Sequence, residues 1–189
     1  MTRLYNGGGR QMSLIPKARS TNYAGRGMEF ERALEQMHEV YKARGIGIIT
    51  KNYVKSTIVG DGKLARVDGS AIVDYTGCLE GGSFVAFDAK DCESKSIALS
   101  RLQPHQLEYL TRVWKHGGEA FILARFERRR CWRIPVLAWM IAEEYRETGA
   151  HAEGFDGFKP TGKASINEKE LPEIWMVEGY DWANARRRR

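Results

Sequence analysis

No apolar run in this 189-residue chain approaches the length of a membrane span, and its first residues lack the apolar core of a signal peptide. No membrane partner is therefore expected, and a cytoplasmic setting is. Cysteine is scarce: Cys78, Cys92 and Cys131 form no CxxC pair, and their odd number argues against a disulfide framework. The four histidines, His38, His105, His116 and His151, show neither HExxH nor any paired ligand spacing, so a zinc site is not expected. The run "YNGGGR" (5–10) lacks both a GK[ST] ending and a preceding strand, which excludes a phosphate-binding loop. There is no internal repeat. Acidic residues are missing altogether from the first 26 positions.

That last absence frames what is present. Thirty Lys and Arg against 24 Asp and Glu leave a net charge of +6, concentrated at the ends. Arg3, Arg10, Lys17, Arg19 and Arg26 crowd the N-terminal stretch, and Arg186 to Arg189 close the chain. Arg128, Arg129 and Arg130 form a third cluster in a predicted turn. Basic ends around a near-neutral centre are the electrostatic footprint of a polyanion-binding protein, nucleic acid first. A membrane surface fits less well, because no basic segment carries an apolar helical face.

Residues 1–24 show no periodicity and read as a flexible basic arm. From Gly25 a helix emerges, with Phe30, Ala33, Leu34, Met37 and Tyr41 spaced as one apolar stripe and Gly45 as its stop. Glu31 lies beside the stripe, and Glu35, one turn on, reads as part of a solvated face. "IGIITK" (46–51) is a strand. A hairpin over about 52–70 turns at Asp61–Gly62 and carries Lys55, Lys63 and Arg66 as candidate DNA contacts. "AIVDY" (71–75) reads as a short strand, "TGCLEGG" (76–82) as a turn and "SFVAFDAK" (83–90) as the next strand. "SRLQPHQLEYLTRVWKHGG" (100–118) has Leu107, Leu110 and Trp114 at helical spacing. Strands at 120–126 and 131–136 flank the arginine-rich turn, and a helix over roughly 136–147 follows. The last 40 residues are polar and irregular, with Trp175, Tyr180 and Trp182 docking part of this tail on the core; the tryptophans read mostly as core. This order predicts one α/β domain over 25–150, a mixed central β-sheet flanked by helices, with a C-terminal tail over 151–189.

The stretch "VAFDAKDC" (85–92) carries the chemistry. Side chains on a strand alternate, so Asp88 and Lys90 point to one face while Val85, Phe87 and Ala89 point to the other. An ion pair at a strand end is the plain explanation. Asp74, however, lies on the preceding strand across a glycine-containing turn, so the two aspartates can meet at one end of the sheet. Glu31 on the first helix adds a third carboxylate. Hard oxygen donors beside a basic surface suit Mg²⁺, with Mn²⁺ as a substitute. Such a metal activates water and stabilises charge on a phosphate oxygen. Lys90 would hold the attacking water or stabilise the charge developing on phosphorus.

"DYTG" followed by "FDAK" resembles motifs II and III of the PD-(D/E)xK nuclease superfamily, with Asp74 in the D position and Asp88-x-Lys90 in the (D/E)xK position. "NYAGRGMEFE" (22–31), "VDYTG" (73–77), "FDAK" (87–90) and "HQLEYL" (105–110) are similar, in order and spacing, to the RecU-type Holliday-junction resolvases. The resemblance spans about residues 22–137. It implies a restriction-endonuclease-like core and a homodimeric, Mg²⁺-dependent endonuclease that resolves four-way DNA junctions by paired symmetric nicks. It further implies Asp74 and Asp88 as metal ligands, Glu31 as a further acidic member of the site, and Lys90 as the catalytic lysine. Gln106 would orient water or phosphate, and His105 is a helix-start residue or a phosphate contact. Two departures stand out. Asp88 occupies a position where these resolvases more often carry Glu, and the hairpin between Lys51 and Asp74 is shorter than the family's insertion. A nuclease of the same fold with another DNA target, or a non-cutting DNA-binding protein, are the competing expectations.

Overall fold

The computed structural model describes residues 23–53, 56–59, 64–67, 72–150 and 154–185. The expected N-terminal arm, the hairpin turn with Lys55 and Lys63, His151 and the closing arginine run lie outside the described residues.

The first helix, α1 (Tyr23–Ala43), buries Phe30, Leu34 and Tyr41 along the expected stripe and leaves Arg32, Gln36 and Glu39 outside. Gly45, at φ +70°, turns the chain into β1 (Gly47–Lys51), an outcome that glycine tolerates and a β-carbon resists. β2 (Ser56–Val59) and β3 (Leu64–Val67) pair antiparallel as the predicted hairpin, forming a two-stranded sheet of their own.

The next strand, β4 (Tyr75–Leu79), corrects the sequence reading at two points. Ile72 to Asp74 are a bend rather than a strand. Asn52 holds it, donating from its backbone to the Asp74 carbonyl (2.7 Å) and from its side chain to the Val73 carbonyl (3.0 Å). "TGCL", expected as a turn, is strand. Gly77 is there because β1 passes so close that a β-carbon would lie 2.3 Å from the Ile48 carbonyl oxygen. The turn itself falls at Glu80–Ser83, with Gly81 and Gly82 at φ +87° and +83°.

The central strand β5 (Phe84–Cys92) is followed by β6 (Ser96–Ala98), a single 3-10 turn at Leu99–Arg101 and α2 (Pro104–Lys115). Then come β7 (Glu119–Phe126), β8 (Arg130–Pro135) and α3 (Val136–Thr148). The tail is more regular than expected. Its β9 (Ser165–Asn167) pairs with β6, its β10 (Met176–Val177) adds a strand beside β8, and α4 (Trp182–Ala185) ends the described chain.

The main sheet has six strands in the order β1-β4-β5-β7-β8-β10. β5 and β7 are parallel, joined over the sheet by α2, and the other pairs are antiparallel, so the sheet is mixed as predicted. Its two faces bury separate cores. On one, α1 and α4 cover Tyr75, Val85, Phe87, Phe121 and Leu123. Tyr75, Phe87 and Phe121 stack across three strands at centroid spacings of 4.9 and 4.8 Å, and Trp182 closes over them. On the other, α2 and α3 cover Ala86, Ile122, Ala124 and Ile134 with Leu110 and Trp139. Each such buried large side chain stabilises the fold by about 1.5–3 kcal/mol relative to leaving it in water. Trp114 is the exception among the tryptophans, 40% exposed, because α2 buries its Gln106–Leu110 edge instead. Among the described residues no helix is long and apolar enough to cross a membrane.

Candidate active site

β5 runs through the middle of the sheet with both faces covered, and Asp88 interrupts its apolar run at full burial. Alternation puts Asp88 on the Ala86 face, toward α2. There Gln106 Nε2 donates to Asp88 Oδ1 at 2.7 Å. The Lys90 ammonium lies 2.5 Å from Oδ2, an ion pair out of hydrogen-bond alignment, so Oδ2 has no aligned donor. Asp74 sits one residue beyond the Tyr75–Phe87 pair of the β4–β5 ladder and so falls opposite Asp88. Its Oδ2 accepts from the Ala89 backbone N–H at 2.8 Å.

The electrostatics follow from this packing. Burial first, and the neighbouring Asp74 charge second, push the Asp88 carboxyl from 3.8 up to about 7, against the pull of Lys90. Two carboxylates share one poorly solvated corner, and a cation there would relieve both. The donor set fits Mg²⁺, which binds through one or two carboxylates and completes its shell with water and substrate phosphate. Among the described residues no three His, Cys, Asp or Glu side chains converge as an all-protein cage.

Glu31 is not brought into that corner. α1 packs on the Phe87 face while Asp88 points to the opposite one, so Glu31 reaches the cleft rim from the other side of the sheet. There it accepts from Lys51 Nζ at 2.9 Å, as Glu35 does at 2.8 Å, so Glu35 is not merely a solvated residue. Burial lowers the Lys51 pKa, but the hydrogen bonds to Glu35 and Glu31 outweigh it and raise the pKa above its ordinary value.

Gln106, buried on the first turn of α2, has two partners. Its Oε1 accepts from the Gln103 backbone N–H (3.0 Å), closing the start of α2, and its Nε2 serves Asp88. It thereby holds the Asp88 carboxylate in place. His105, beside it on the first turn of α2, is exposed. In the β7–β8 turn, Arg128 and Arg129 are exposed, whereas Arg130 is held by the buried Glu168 of the tail at 3.0 Å. Arg66 lies on β3 opposite Thr57, and Arg26 within α1.

A cleft of about 430 Å³ opens onto this arrangement, lined by Asp74, Lys90, Glu31, Glu93, Arg101 and Arg128 among others. Sequence reasoning missed Arg101, which sits in an irregular stretch with no periodicity to mark it. It also missed Arg125, fully buried on β7 and bidentate to Asp91 (2.9 and 2.8 Å), with contacts to Glu29 and the Tyr180 hydroxyl. The pairing of Asp91 with Arg125 follows only from the parallel register of β5 and β7.

The chain is similar to several known proteins. A Holliday junction resolvase RecU from Geobacillus thermodenitrificans is 30% identical over 146 residues, 67% of this chain and 69% of that one. A namesake from Streptococcus thermophilus is 26% identical over 172 residues, 86% of each chain. For a third, from a Geobacillus species, the match spans 127 residues at 30% identity, 62% of this chain and 63% of the relative. Among solved structures, the Archaeoglobus fulgidus Holliday junction resolvase Hjc aligns with a TM-score of 0.45 at 19% identity, over 84% of this chain and 96% of that one. The family described as Recombination protein U (RecU) matches residues 25–153, and with the 30% identical relative this shows that the chain belongs to the RecU family.

Proposed function

We propose that this protein is a Mg²⁺-dependent endodeoxyribonuclease that resolves four-way DNA junctions by paired nicks in recombination and repair. The observation that carries the proposal is the buried Asp88, set opposite Asp74 and ion-paired to Lys90 at the mouth of a cleft, in a chain of the RecU family. Asp74 and Asp88 would hold the metal, with Mn²⁺ as a substitute. When bound, it supplies Lewis acidity and charge neutralisation at the scissile phosphate.

The chain's own groups supply the rest. An ammonium has three donors, so the contact of Lys90 with Asp88 leaves capacity for a phosphate oxygen or the attacking water. Gln106 fixes the Asp88 carboxylate from below, and the Ala89 N–H fixes that of Asp74. The stacked rings under β5 make the platform rigid. One such site per chain and two strands to nick imply a two-fold dimer. The β2–β3 hairpin would approach the branch point from each subunit.

The test is a cleavage assay in Mg²⁺ on a four-way junction, a flap and a linear duplex, with light scattering on the purified protein. Paired nicks confined to the junction, and a mass about twice 21.5 kDa, are expected. Equal cutting of linear duplex would move the assignment to a general nuclease. Junction binding with no cleavage in either metal would leave only a binding protein.

A further inference from the structure

We infer that Arg101 and Arg128 form a phosphate clamp across the cleft, and that one DNA strand leaves the Asp74–Asp88 corner over the β7–β8 turn. This rests on the nuclease reading above and adds to it a positioning residue, Arg101, and a direction for the bound strand.

The first observation is continuity. A hollow of about 340 Å³ lined by Glu93, Glu127, Arg128 and Arg129 shares Glu93 and Arg128 with the catalytic cleft. The two form one groove, and Arg128 stands where they meet. The second is charge. The cleft presents Glu31, Asp74 and Glu93, all of which repel a phosphate backbone. Among the described residues its lining cations are Lys90, Arg101 and Arg128. Lys90 is committed to Asp88 and the scissile phosphate, which leaves the two arginines for the phosphates flanking it.

The third observation is that both arginines are placed for this task. Arg101 comes from the 3-10 turn before α2, and its Nη1 donates to the Asp91 carbonyl (2.9 Å) and contacts the Cys92 sulfur (3.2 Å). Those contacts engage one nitrogen of a group with five N–H donors, so the guanidinium is anchored without being used up. Among the described residues it has no carboxylate partner. Arg125, Arg130 and Arg133 each have at least one. Arg128 and its neighbour Glu127 adopt φ +56° and +48°, a left-handed backbone that neither residue type favours. Such a backbone persists where the surroundings fix it. From that turn Arg128 lines the cleft together with Arg101.

The test measures junction binding by the full chain in Ca²⁺ across a salt series, with wild type, Arg101→Ala, Arg101→Gln and Arg128→Ala. Each substitution should flatten the slope of log K against log salt by about 0.9, the signature of one lost phosphate contact. It should also weaken binding about tenfold, the worth of one charge-assisted contact. Arg101→Gln keeps a donor for the Asp91 carbonyl, so an equal loss in that variant assigns the effect to charge rather than packing. The decisive readout is a scan of single neutral methylphosphonates along the strand beside the cut. Wild type should lose affinity at two adjacent positions, and Arg101→Ala should become insensitive at one of them while Arg128→Ala becomes insensitive at the other. Unchanged salt slopes, or the same methylphosphonate pattern in all variants, would overturn the clamp while leaving the nuclease reading intact. A wild type that binds no junction would remove that reading, and the clamp with it.

Discussion

Asp88→Asn should stabilise the metal-free protein while abolishing its cleavage, and the two effects share one cause. The carboxyl is fully buried and titrates near 7 instead of 3.8. The folded state therefore keeps a proton that the unfolded chain releases, and stability falls as pH rises from about 4 to about 7. Keeping the ionised form buried costs about 4 kcal/mol by pH 8, at 1.36 kcal/mol per unit of pKa. Asparagine has the same shape, still accepts from Gln106, and can donate to Asp74. It leaves the half-buried Lys90 without its partner, which returns part of the gain. A net increase of about 2 kcal/mol at pH 8 is expected, or roughly 4–8 °C in Tm for a chain of this size.

The assay is chemical or thermal denaturation in EDTA between pH 5 and 8.5. His38 opposes the trend: burial lowers its pKa from 6.5 to about 4, so its contribution is lost as pH falls through that window. The difference between the two proteins isolates Asp88. It should be small at pH 5, grow through pH 7 and level off above. A difference independent of pH would refute a raised Asp88 pKa. Full cleavage by the variant would remove Asp88 from the metal site. Junction binding should be equal or tighter, because a charge that repels phosphate has gone.

Three other substitutions divide the remaining roles. Lys90→Ala should slow single-turnover cleavage at least about 10²-fold with metal affinity nearly unchanged, as for a positioned electrostatic group; an unchanged rate would reduce Lys90 to a strand-end ion pair. Gln106→Leu strips a donor from a buried carboxylate and the closure of α2, and should cost about 1–3 kcal/mol while moving the pH dependence of metal binding upward. If that pH profile stays fixed as stability falls, Gln106 is only a helix cap. Removal of residues 1–22 together with Arg186 to Arg189 should flatten the salt dependence of binding without changing the preference for a junction over duplex, at about 0.9 in slope per lost contact.

The sheet, its flanking helices and the Asp88–Lys90 pair were legible because each rests on periodicity. Alternation along "VAFDAKDC" puts the two on one face, and they meet at 2.5 Å. Gly77 shows where that logic stops. A glycine required by the close passage of β1 is the same letter as a glycine required by a turn, and only the neighbouring strand distinguishes them. Glu31 shows a second limit. Helical spacing tells which side of α1 it occupies, yet not which face of the sheet α1 covers, and that face sets it against Lys51 instead of Asp88. The contact of Gln106 with Asp88 is illegible for a similar reason: its partner lies on β5, eighteen positions away, and is reached only because α2 crosses that face.

The C-terminal segment joins these pieces. Trp182 donates to His38 at 3.3 Å, and the lowered pKa of His38 keeps that imidazole a neutral acceptor throughout the neutral range. Tyr41 donates to Asp181 (2.9 Å) and accepts from the Ala183 backbone (3.1 Å), while Tyr180, at φ +67°, receives Arg125. α1 is therefore tied, on the sheet face it shares with α4, to residues about 140 positions further along the chain. The described part of the segment ends at Ala185, which lines a hollow with Ser83 and Glu119 at the start of β5 and β7. Asp88 and Lys90 lie toward the other end of those strands, where Gly27 of α1 borders the catalytic cleft. Gly27 and Ala185 thus border hollows toward opposite ends of the sheet.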